Sequence, residues 1–170
     1  MKIFEISDDS GFMGIANFDK YNSFITPKWD FEMIKERIIN EMNSNNLLFW
    51  GTGMENFWKV KIDTKLSEKP FFREERGVIE ITNRKLHLTN YESLTMGAQF
   101  EKIKLPEKHH EKLCVELANG KYMVKFRQME NPEKYEVETD DFDFEIALTK
   151  IVNMPEIYVN NFKKIFWSNY

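Results

Sequence analysis

Four apolar residues spaced two apart, Phe142, Phe144, Ile146 and Leu148, alternate with Asp143, Glu145, Ala147 and Thr149. Successive side chains of an extended strand point to opposite faces, so this pattern specifies one dry face and one wet face. It recurs from Phe57 to Asp63, where Trp58, Val60 and Ile62 share one side and Lys59 and Lys61 take the other. Phe4 and Ile6 repeat it weakly near the start. The turn cluster Asp8-Asp9-Ser10-Gly11 and a short strand from Phe12 to Asn17 follow, an arrangement that suits a hairpin. Strands with one dry face need a second layer to cover it.

Two segments allow a register to be argued. With a turn at Asn83-Arg84, Ile81 falls opposite Leu86 and Ile79 opposite Leu88, while Glu80 and His87 lie on the reverse face. Asn119-Gly120 is a favoured pair for a type I′ turn, in which both central residues need positive φ. It sets Leu117 against Tyr122, Val115 against Val124 and Leu113 against Phe126, with Cys114 opposite Lys125. Both segments are expected to form β-hairpins. The apolar run Leu47-Leu48-Phe49-Trp50 is expected to be a strand covered on both faces.

Helices are few. Phe31, Ile34, Ile38 and Met42 recur at helical spacing between Asp30 and Asn43, with Asp30 placed to cap and Glu32 in the first turn. Tyr158, Phe162, Ile165 and Phe166 predict a second helix in the tail after Pro155. A length of 170 residues suits one domain. The expected fold is mainly β (α+β): an antiparallel, sandwich-like domain of residues 1–170, with helix 30–43 and a C-terminal helix packed outside. Aromatics make up 15% of the chain, which suits strands and a large core.

The motifs that carry chemistry are mostly missing. Gly51 and Gly53 lack the third glycine and the following helix of a dinucleotide site, so they read as a turn, with Trp50 and Trp58 as core. Cys114 has no base or oxyanion donor near it in sequence, and one cysteine forms neither an internal disulfide nor a multi-cysteine zinc site. His87 is expected at the surface beside Glu80. On an extended chain His109 and His110 point to opposite sides, which argues against a shared metal. The expectation is no catalytic residue, no metal and no cofactor, with an enzymatic role disfavoured.

A formal net charge of −4 argues against nucleic acid as the main partner. No apolar run reaches bilayer-spanning length, and the start lacks a signal-peptide core, so the expected compartment is the cytoplasm. The Lys-, Asn-, Glu- and Ile-rich usage is bacterial in style. The acidity is densest between Glu133 and Glu145, with seven carboxylates. Glu138, Asp140, Asp141, Asp143 and Glu145 are the candidate partner-binding residues, facing a basic protein.

The segment from Arg84 to Gln128 carries Leu86, Leu88, Tyr91, Leu94 and the stretch Leu117 to Val124 around an N-G-x-Y-x-V turn. It resembles the competence-associated inhibitor of a DNA-entry nuclease and immunity-protein-like families. The resemblance covers a minority of the chain and rests on mainly structural positions. It implies a β-rich fold and a non-catalytic binding role, and it transfers no site residue. The competing readings are a small-molecule-binding or enzymatic β-sandwich with an aromatic-lined cavity, and a structural part of a phage or secretion assembly.

Overall fold

Each alternating segment forms a strand. The computed structural model describes residues 1–134, 142–153, 155 and 165–167. Among the described residues nine strands and two α-helices run in the order β1 (Lys2–Asp8), β2 (Phe12–Ala16), α1 (Phe31–Asn43), β3 (Leu47–Gly51), β4 (Asn56–Asp63), β5 (Arg73–Ile81), β6 (Lys85–Asn90), α2 (Tyr91–Gln99), β7 (Cys114–Glu116), β8 (Gly120–Gln128) and β9 (Phe144–Ile151). They build a five-stranded sheet, β1-β4-β9-β8-β5, and a four-stranded sheet, β3-β2-β6-β7. Among these strands, β4 and β9 alone pair in parallel. The dry faces of both sheets meet in one core: Trp58, Val60, Phe126, Phe144 and Ile146 from the first join Met13, Ile15, Leu48, Trp50 and Leu88 from the second. The mainly β, two-layer expectation therefore holds.

The expected hairpins do not. Ile79 pairs with Tyr122 and Ile81 with Gly120 in the five-stranded sheet. Leu86 pairs with Val115 and Leu88 with Ile15 in the other sheet. β7 and β8 likewise part company, β7 joining β6 and β8 lying between β5 and β9. β1 and β2 are also split between the sheets. The reason is physical. A hairpin sets two strands side by side, whereas a corner sets them face to face across a core. Both bring the apolar side chains together, so alternation alone cannot separate them.

The two corners brace each other. Arg84 sits at φ 57, and its N–H donates to Asn119 Oδ1 at 2.7 Å. Leu117 N–H returns a bond to Arg84 O at 3.0 Å. Gly120 takes φ 145, a conformation that L side chains rarely adopt.

α1 forms as its pattern predicts. Asp30 accepts from Met33 N–H, and Ile34, Ile38 and Met42 are buried. α2 is an addition: Asn90 caps it by accepting from Ser93 N–H, and Leu94, Gly97 and Ala98 are buried. The predicted tail helix falls largely on 156–164, outside the described residues. Phe166 instead lies along β3, accepting from Gly51 N–H at 2.9 Å. Among the described residues no helix is long and apolar enough to cross a membrane.

Candidate functional site

The acidic segment enters the five-stranded sheet at β9, and its last two carboxylates are tied down there. Asp143 Oδ2 accepts from Lys59 N–H at 2.7 Å. Its own N–H donates to Lys59 O, and its carbonyl accepts from Met129 N–H. Glu145 stands on the outer face in register with Lys61 on one side and Arg127 on the other, and Arg127 in turn faces Glu74. The row reads cation, anion, cation, anion across four strands. Cross-strand neighbours of opposite charge stabilise such a face.

Alternation puts Glu145 on the expected face, yet the residue is 0% exposed. The connection between β4 and β5 folds over it. Ser67 donates to the carboxylate from both N–H (2.8 Å) and Oγ (2.9 Å), and Lys61 Nζ pairs with it at 2.7 Å. Arg127 holds the same connection by donating to Ser67 O at 3.1 Å, while its Nε pairs with Glu74. Of the five predicted partner residues, Asp143 and Glu145 thus make structural bonds. Glu138, Asp140 and Asp141 lie outside the described residues.

This anchored connection ends in a feature that sequence periodicity does not mark. Phe71 and Phe72 are 44% and 45% exposed. Each ring is stacked by an arginine. The Arg127 guanidinium lies 4.1 Å from the Phe71 centroid, and that of Arg73 lies 5.5 Å from Phe72 and 4.4 Å from Trp167. Arg73 has no carboxylate partner among the described residues. It donates from Nε to Gln128 Oε1 at 2.8 Å and from its NH2 group to Gly51 O at 3.2 Å. Burial pushes its pKa down to about 10, which leaves it cationic at neutral pH.

The ridge is wired to the core. Gln128 Nε2 donates to Thr52 O at 2.9 Å, and Thr52 Oγ1 donates to Asp8 at 2.6 Å. Asp8 is fully buried and also accepts from Phe12 N–H and Trp58 Nε1. Phe72 N–H donates to Gln128 O on β8, and the next residue along, Met129, donates to Asp143 O. Phe72 therefore lies about two strand spacings, roughly 10 Å, from the point where the acidic segment meets the sheet.

The other singled-out residues sort as follows. Gly51 ends β3, Gly53 at φ 90 lies in the connection to β4, and Trp50 and Trp58 are core. Cys114 faces His87 across β6 and β7, not Lys125. His87 is not a surface residue beside Glu80. It is 7% exposed and packed against Phe18, and its imidazole Nδ1 is buried without a hydrogen-bond partner among the described residues. Glu80 lies opposite Lys121 in the other sheet.

Burial first, then Lys85, brings the His87 pKa down to about 4. The unfolded imidazole accepts a proton near its ordinary value of about 6.5, which the folded one refuses until about pH 4. Stability is thus full above about pH 6.5 and falls as pH drops towards 4. The loss is about 2 kcal/mol after allowing for solvent near the ring. Urea midpoints at pH 7.5 and 4.5 should show this slope in the wild type and a shallower one in His87→Gln.

No family model and no curated protein sequence matches the chain. Comparison with solved structures gives two similar chains. One is described as crocagin biosynthetic gene J, at 14% identity and a TM-score of 0.56, over 86% of this chain and 94% of that one. The other is ComJ, inhibitor of the DNA degrading activity of NucA, from Bacillus subtilis, at 11% identity and a TM-score of 0.49, over 89% of this chain and 96% of that one. At 14% identity the likeness to the first is one of fold alone.

Proposed function

We propose that this protein acts by binding another protein, in the manner of a nuclease inhibitor or immunity protein, with the Phe71–Arg73 ridge as the apolar centre of the contact. The observation that carries the reading is the pair of half-exposed phenyl rings, each held by a sheet-anchored arginine. Aromatic and arginine side chains are the residues most enriched at the energetic centres of protein interfaces. Rings already fixed in place lose little further entropy on docking.

The acidic stretch that meets the sheet about 10 Å away supplies the second part. Its carboxylates would steer a cationic partner, and a nucleic-acid-cleaving protein presents such a surface. Glu138, Asp140 and Asp141 are the steering candidates, while Asp143 and Glu145 keep the stretch anchored. The test uses the partner recovered with the chain from its own cells. Glu138→Gln, Asp140→Asn and Asp141→Asn together should slow association about tenfold at low salt and leave dissociation nearly unchanged. Association rates equal to wild type at every salt concentration would remove the acidic stretch from the contact.

A further inference from the structure

We propose that the turn before β7 is a transition-metal site built from Glu107, His109 and His110. It uses residues distinct from those of the proposed contact ridge. The expectation that adjacent histidines diverge applies to extended backbone, and here the backbone is a turn. His110 N–H donates to Glu107 O at 2.8 Å and Leu113 N–H donates to His110 O at 2.9 Å, which folds residues 107–113 back on themselves. The two imidazole centroids lie 4.1 Å apart. One ligand atom from each of Glu107, His109 and His110 lies within 4.8 Å of the other two.

Tetrahedral zinc with nitrogen and oxygen ligands at about 2.0–2.2 Å needs those atoms roughly 3.4 Å apart. The closure left to make is about 1 Å or a little more by that standard, and His109 is exposed and Glu107 half-buried, so both side chains have room to move.

The third ligand is already oriented. His110 is buried, and the Ser93 hydroxyl holds its Nδ1 at 2.9 Å. That leaves Nε2 for the metal, the arrangement by which a neighbouring group fixes a ligating imidazole. Ser93 is itself fixed in the first turn of α2, its N–H donating to the Asn90 cap at 3.0 Å. Two imidazoles and one carboxylate suit Zn²⁺ and leave a fourth position for water or a partner's side chain. The same donors take Co²⁺, Ni²⁺ or Cu²⁺.

The test is zinc titration of the tag-free, full-length protein by calorimetry, with Co²⁺ absorption as a second readout. The wild type should bind one zinc per chain and give visible Co²⁺ bands of tetrahedral intensity. His109→Ala and Glu107→Gln, both at accessible positions, should weaken zinc binding at least tenfold. Ser93→Ala should weaken it about tenfold with the fold retained. Glu111→Gln, in the same turn but lining the neighbouring cavity with Leu105 and Lys112, should bind as the wild type does. Absence of stoichiometric binding in the wild type, or affinity in His109→Ala and Glu107→Gln equal to wild type, would overturn the site.

Discussion

Lys61→Met should lower the unfolding free energy by about 3 kcal/mol, a large change for a lysine on a sheet's outer face. The loss comes from what the substitution leaves behind. Glu145 is 0% exposed, and Lys61, 12% exposed, is its nearest cation at 2.7 Å. Removing one member of a buried pair strands the other charge, at about 3–5 kcal/mol. Two bonds from Ser67 persist and hold the cost near the lower end. The double variant Lys61→Met/Glu145→Leu should recover part of the loss, because two apolar side chains need no counter-charge, while the two Ser67 donors lose their acceptor. Urea unfolding at pH 7 reads both. The single variant's midpoint should fall with little change in slope, and a midpoint within error of wild type would mean that Glu145 is not enclosed as described.

The second large effect belongs to the ridge. Replacing Phe71 and Phe72 together by alanine should weaken partner binding about a hundredfold or more, since central aromatic anchors each carry roughly 1–2 kcal/mol or above. Stability should change by less than about 1 kcal/mol, because both rings are nearly half exposed in the free protein. That separation distinguishes a contact surface from a packing surface. Core aromatics such as Trp58 or Phe144, both essentially inaccessible, would behave in the opposite way, losing about 3–5 kcal/mol of stability on truncation to alanine.

The alternating segments revealed which residues form strands and which faces are dry, because side-chain period is a local property. Val60, Ile62, Phe144 and Ile146 all point inward as their spacing requires. Pairing is not local. Ile79 and Leu88 share the core in either arrangement, and only the hydrogen-bond partners tell a corner from a hairpin. α2 escaped notice because nine residues carry only a short apolar stripe around Gly97, although Asn90 with Glu92 and Ser93 behind it is a capping pattern that could have found it.

The candidate site was legible only at its acidic end. Alternation places Glu145 on the outer face, but nothing in the residues near it announces that Ser67, far away in sequence, covers it. Phe71, Phe72 and Arg73 follow Pro70 without alternation before them, so no periodicity test picks them out. Their significance depends on Arg127 and Gln128, which reach them from β8. The extended-chain rule does not apply to His109 and His110 for a related reason: their segment turns, which brings the two rings to 4.1 Å.

The most direct test of the binding role is the affinity of the co-purified partner for the wild type and for Phe71→Ala/Phe72→Ala, measured by calorimetry at physiological salt. A contact centred on the ridge predicts a dissociation constant about a hundredfold weaker for the double variant, with its unfolding midpoint near that of the wild type. A variant that binds the partner as tightly as the wild type would contradict it.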